Sequence, residues 1–319
     1  MFQITLQQML TMFAFISLGF ILRKTKILPE NSDVTMARLE TYIFVPALSL
    51  ASQMNHCTVK TFTENAPLIL YGAVIVVIAL ALSFPLSALF VKKTHTNELI
   101  YQRKIYQYAM TFGNYGFMGN FIVLGVWGSE FLFKYQMFCF IVGILCSSWG
   151  LYILIPKDRN ASILQNLKKG LLAPPMCALF IGILVGLLNL RQYVPDFLMK
   201  LFSDAGNCQG PVAMVLAGFV IGGYNLKDLL FNKKVYVASL LRLIVIPAVL
   251  MVILKLLGTP EEIMILALIC FAAPLGLNTI VYPATYGGET KTGAAMASIS
   301  HTASVITIPL MYYLFIELL

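Results

Sequence analysis

Ten apolar stretches, each about long enough to cross a lipid bilayer, follow one another from one end of the chain to the other. A helix needs about 20 apolar residues to span the hydrocarbon core. Candidates lie at 2–22, 34–54, 66–91, 105–125, 131–155, 171–190, 194–222, 235–257, 261–286 and 292–318. In lipid every backbone N–H and C=O must bond internally, so such stretches fold as helices. Composition agrees: of 319 residues 59% are apolar and 11% charged, against ~25% charged in typical soluble domains. The expected class is an all-α polytopic membrane protein. A soluble enzyme, a secreted disulfide scaffold and a free nucleic-acid binder are excluded.

The net charge of +8 follows membrane orientation and not nucleic acid. Of 22 basic residues, 17 fall in the odd-numbered connections, including Arg23, Lys24, Lys92, Lys168 and Lys291. Arg242 is counted in this group, beside the seventh connection. Cytoplasmic loops collect Lys and Arg, so the odd connections are predicted to be cytoplasmic and both termini extracytoplasmic. The first stretch has its basic residues after it, the reverse of a signal peptide, and reads as a true span. The six cysteines (Cys57, Cys139, Cys146, Cys177, Cys208 and Cys270) form no CxxC pair. They read as small membrane-buried apolar residues without a metal or disulfide role.

Helix-breaking residues recur at a nearly constant offset. Pro46 and Pro211 are 165 residues apart, Pro85 and Pro247 162, and Asn114 and Asn278 164. Five spans per half is an odd number, so the second half inserts upside down. The predicted organisation is a first five-helix repeat at 1–155, a cytoplasmic linker at 156–170 and an inverted second repeat at 171–319. Inverted repeats of this kind characterise transporters, with the substrate site between the halves near the midplane.

Two spans are poor continuous helices. The fourth carries Gly113-Asn114-Tyr115-Gly116-Phe117-Met118-Gly119-Asn120. Glycine costs about 1 kcal/mol per position in a helix, and asparagine competes for the backbone. The ninth carries Ala273-Pro274-Leu275-Gly276-Leu277-Asn278, then Tyr282-Pro283. Proline removes a donor and clashes with the preceding turn. Backbone freed at membrane depth is tolerated where it is buried in protein or lines a cavity. Half-helix N-termini there aim N–H groups and partial positive charge at an anion, and a small carboxylate suits them.

These features bear a resemblance. Val45-Pro46-Ala47-Leu48, the glycine-asparagine run of the fourth span, and Gly210-Pro211-Val212-Ala213-Met214-Val215-Leu216-Ala217-Gly218 occur in order. They are followed by Ala273-Pro274-Leu275-Gly276-Leu277-Asn278, Tyr286-Gly287 and Ile306-Thr307-Ile308-Pro309. In this the chain resembles the auxin efflux carrier family, which includes bacterial malate-permease-like proteins. The resemblance implies ten helices in two inverted five-helix repeats, with broken helices four and nine crossing. It implies a scaffold of helices one, two, six and seven, a mobile unit of the others working as an elevator, and a homodimer. One departure stands out: the family often has proline where this chain has Asn120.

The function expected is a secondary active carrier of a small organic anion, a mono- or dicarboxylate, in the cell membrane. An anion channel of similar architecture and a non-transporting sensor or lipid-binding module are the alternatives. The candidate substrate-binding set is Asn114, Tyr115, Gly116, Gly119, Asn120, Pro274, Asn278, Tyr282 and Pro283. Asn114 and Asn278 are expected to donate hydrogen bonds to the anion, and Gly116, Gly119, Pro274 and Pro283 to hold the breaks open. His301, which titrates near neutrality, and Asp204 are candidates for a coupling proton or ion. Glu40 reads as interfacial, beside Lys or Arg. No deep arginine or lysine is evident in the spans. The chain carries neither a P-loop nor HExxH, so no enzymatic activity and no cofactor are expected, only coupling to H⁺ or Na⁺. The expected partners are the anion, the lipid bilayer and a second copy, with no nucleic acid.

Overall fold

A computed structural model describes residues 2–92, 95–155, 165, 168, 170–286 and 288–318. Nearly all of them are helical, and no strand occurs among the described residues. The expected linker at 156–170 falls largely outside them.

We name twelve helices in chain order. The first are α1 (Phe2–Lys24), α2 (32–56), α3 (Val59–Phe90) and α4 (Asn97–Thr111), then α5 (115–127) and α6 (129–154). The others are α7 (Pro174–Leu187), α8 (Asp196–Gly222), α9 (Lys233–Leu256), α10 (Glu261–Ala272), α11 (Asn278–Tyr286) and α12 (Lys291–Leu318). Among the described residues, six helical segments are long and apolar enough to cross a membrane: Phe2–Lys24, Val59–Phe90, Tyr115–Phe138 (if its turn is set aside), Asp196–Gly222, Lys233–Leu256 and Lys291–Leu318. In the segment Tyr115–Phe138 the chain turns at Gly128, whose φ of 82° and ψ of −173° separate α5 from α6. That backbone conformation suits glycine, which has no Cβ to clash. The expected fourth and ninth spans each arrive as two half-helices, α4–α5 and α10–α11.

Proline shapes the long helices. In α2 and α9 the turns Glu40–Phe44 and Leu241–Val245 are widened, with the N–H of Val45 reaching Glu40 O and that of Ile246 reaching Leu241 O. Pro46 and Pro247 follow directly. A proline ring crowds the carbonyl four residues back, and the helix relieves this by widening before it. In α8 the break falls at Cys208, with ψ of −20°, three residues before Pro211. Pro211 thereby sits in the first turn of the second half-helix, where a missing N–H costs nothing.

The helices form two groups. In one, α1 crosses the second half of α8, and α2 packs on α7 and on the first half of α8. Small residues permit close approach: a Cβ on Gly19 or Gly218 would strike the backbone of the facing helix. In the other group α3 packs on α4, α5 and α6, while α9 and α12 enclose α10, which is buried from Ile263 to Ala272. Outward faces carry apolar side chains such as Leu70, Val77 and Leu82 of α3 and Val249 and Ile253 of α9, as lipid requires.

Contacts between connections sort the two ends of the bundle. Lys24 Nζ donates to Tyr224 O at 3.1 Å, and Tyr224 Oη meets Thr290 Oγ1 at 2.6 Å. Gly288 lies against Tyr101, whose hydroxyl donates to Leu154 O at 2.7 Å. At the opposite end His56 Nε2 meets Ser129 Oγ at 3.0 Å, and Lys134 pairs with Glu262. The N–H of Phe2 meets Glu317 Oε1 at 3.0 Å, which brings the described ends of α1 and α12 together.

Candidate functional site

The site is built where the two interrupted helices meet. Ala273 takes an extended conformation (φ −57°, ψ 141°), as a residue before proline tends to, and α10 ends there. On the other strand of the crossover Phe112 is extended (φ −116°, ψ 128°) and Asn114 lies off the helical region (φ −80°, ψ 47°). Between the breaks the chains run antiparallel, with a bridge between Gly113 and Leu275. The N–H of Asn114 donates to Pro274 O at 2.7 Å. A side chain on Gly113 would collide with Ala273 O and the Arg242 guanidinium, which explains glycine there.

Helix α12 satisfies much of what the breaks set free. Ser300 Oγ accepts the N–H of Leu275 at 3.1 Å. His301 is fully buried, with Nδ1 2.8 Å from Ala297 O and Nε2 3.2 Å from the Asn114 amide nitrogen. A carbonyl only accepts, so Nδ1 carries the proton and Nε2 of the neutral ring accepts from Asn114. Asn278, the first residue of α11, gives its amide to Tyr108 Oη at 3.0 Å and Cys146 Sγ at 3.5 Å. Tyr115 lends its carbonyl to Tyr135 Oη at 3.0 Å, and the same hydroxyl occupies the space a Cβ on Gly119 would need. Gly116 is different: apart from its chain neighbours and its own helix backbone, nothing lies within 4 Å of the position its Cβ would take. Open space therefore adjoins the first turn of α5, where helix N–H groups lack intrahelical acceptors.

The structure brings Asn114, Tyr115, Gly116, Gly119, Pro274, Asn278 and His301 to one crossover. Both asparagine amides already have protein partners. Asn120 is buried in regular helix (φ −58°, ψ −42°), and the break falls earlier, at Phe112–Asn114. Tyr282 and the buried Pro283 lie inside α11, so the ninth-span break rests on Pro274 and Gly276 and not on Pro283. Asp204 is exposed and pairs with Lys200 at 2.7 Å, on the half of α8 that packs against α2.

Two expectations are corrected. Glu40 is not interfacial beside a cation: it is fully buried in the widened turn of α2, and neither carboxylate oxygen has a partner. Nor do the spans lack a deep cation. Arg242 is 1% exposed on α9, and its guanidinium lies at the crossover. Nη1 donates to Met110 O at 3.3 Å and Thr111 O at 3.4 Å, and Nη2 to Cys270 O at 3.4 Å. Its position inside the apolar stretch 235–257 was the available signal, hidden by counting it with the loop charges. Tyr108, Cys146 and Ser300 carried no signal, because only the folded chain brings them to the breaks. Of the cysteines, Cys57, Cys139, Cys146 and Cys270 are buried and unbridged, whereas Cys208 is exposed.

A helical bundle of this kind, with membrane-length apolar helices and buried interrupted segments, is a multi-pass membrane protein. The model of the membrane transport protein family matches residues 4–166 and 159–312, and the chain belongs to that family, the auxin efflux carrier family. It is also similar to an uncharacterized transporter, MJ1031, of Methanocaldococcus jannaschii, at 27% identity over 202 residues. That match covers 62% of this chain and 64% of the archaeal protein.

Proposed function

We propose that the protein is a secondary carrier that moves a small organic anion, a mono- or dicarboxylate, across the cell membrane. The observation that carries this reading is the crossover, in which two interrupted helices pair backbone to backbone beside open space at Gly116. The N-terminus of α5 offers N–H groups and partial positive charge to an anion, and the amides of Asn114 and Asn278, bonded at the crossover, would turn to it. Interrupted helices at corresponding places of two halves are the structural basis of such sites.

The order of elements supports the inverted-repeat reading. Three helices, two half-helices and a helix (α1–α6) are followed by the same series (α7–α12). The sorting of connections to two ends fits ten crossings, and the basic excess at one end argues that it is cytoplasmic, with both termini outside. The packing of α1, α2, α7 and α8 on one another, beside the crossover helices, supports a scaffold and a mobile unit, as an elevator needs. A carrier of this kind works as a membrane protein without enzymatic turnover, and a homodimer joined through the scaffold is the proposed assembly.

Purified protein in liposomes is expected to take up labelled malate or a related acid saturably and to show counterflow. Asn278→Ala is expected to lower that uptake about tenfold or more, the effect of losing ~1.4 kcal/mol of anion binding. Unaltered uptake by this variant removes Asn278 from the site, and non-saturating flux with channel-sized current makes the protein a channel.

A further inference from the structure

Arg242 heads the fully buried side chains in size among the described residues, about ten residues into α9. A guanidinium stays charged, and taking it to membrane depth is costly unless something compensates. None of the ion pairs among the described residues includes it. Its surroundings are carbonyl oxygens: Met110 and Thr111 at the end of α4, and Cys270 at the end of α10. The Phe271 ring lies 5.5 Å from the guanidinium carbon, and Nε is buried without a partner.

Each helix C-terminus carries about half a negative charge, so two converging ends amount to roughly one. The two half-helix ends thus form a carbonyl-lined pole with room for a single cation. In carriers with interrupted helices, C-terminal ends and unwound carbonyls of this kind coordinate the co-transported sodium. The structure assigns that place to Arg242: a cation tethered to α9 stands where a mobile coupling ion otherwise binds. It holds the ends of α4 and α10 together permanently and adds a fixed positive charge behind the anion site. The inference rests on the carrier reading and narrows it, because anion binding and transport then need no sodium.

The experiment compares melting of the purified, anion-free protein in sodium chloride and in choline chloride. The wild type is expected to melt at the same temperature in both, and stabilisation by sodium overturns the inference. Arg242→Ala is expected to melt several degrees lower and to regain stability with millimolar methylguanidinium or with sodium, but not with choline. A folded Arg242→Ala protein indifferent to all three overturns it as well. Should that variant fail to fold, Arg242→Lys keeps a tethered cation and is expected to fold and to ignore sodium, and its stabilisation by sodium counts against the proposal. Uptake with sodium replaced by choline is a separate arm. If no organic acid is transported at all, the carrier reading fails while the melting results still decide the role of Arg242.

Discussion

His301 shows how much one side chain settles at the crossover. Its Nδ1–H is committed to Ala297 O, which leaves Nε2 as an acceptor for the Asn114 amide. The ring thereby fixes which face of Asn114 remains for a ligand. His301→Leu keeps the volume and removes the acceptor. Leaving a buried donor unpaired costs about 1–3 kcal/mol, so the variant is expected to melt lower and, on the proposed carrier reading, to bind an organic acid more weakly. Differential scanning fluorimetry with and without the acid reads both effects, and an unchanged response to the acid detaches His301 from the site. Glu40 makes a contrasting case, because its carboxyl group is buried with neither oxygen bonded, well before the crossover residues in the chain.

At the scale of elements, interruptions have different physical causes, and the Phe112–Asn114 break involves neither a proline nor a positive φ. Some are forced by proline: Ala273 is pushed to extended backbone by Pro274, and the widened turns of α2 and α9 precede Pro46 and Pro247. Gly128 is of another kind, a conformation that a residue with a Cβ adopts only under strain. Space around it is open, so Gly128→Ala tests backbone strain without a steric clash. The variant is expected to lose about 1–3 kcal/mol and to melt lower. An unchanged melting temperature shows that the α5–α6 turn does not need that conformation.

At the scale of the molecule, the two groups of helices meet along α5 and along α12, on which α1 packs. Gln8 of α1 donates to Phe121 O at 3.0 Å, and Gln209 of α8 donates to Phe117 O at 3.2 Å. These bonds join the first group to the helix that carries the crossover, and movement of one group past the other has to break them. Gly125 of α5 lies directly against the Gln8 side chain. A protein with Gln8→Cys and Gly125→Cys, in a background with Cys208→Ser, is expected to lose uptake on oxidation and recover it on reduction. Full uptake by the crosslinked protein rules out relative motion of the two groups at this contact.

The amino-acid order alone determined the membrane class, the approximate span positions, and the two breaks at Gly113–Asn114 and Pro274. These depend on local chemistry: apolar length, missing donors, and glycine and asparagine in a helix. It also pointed to His301 as a polar residue inside a span. Only the tertiary structure decided which of these residues meet and what each bonds. Tyr108, Cys146 and Ser300 look like ordinary membrane-helix residues until the fold sets them beside Asn278 and Leu275. Arg242 looks like one more positive charge near a loop until α9 carries it to the ends of α4 and α10. Local propensity reaches a few residues along the chain, whereas compensation of a buried charge depends on dipoles from segments that residues such as 110, 242 and 270 bring together from far apart.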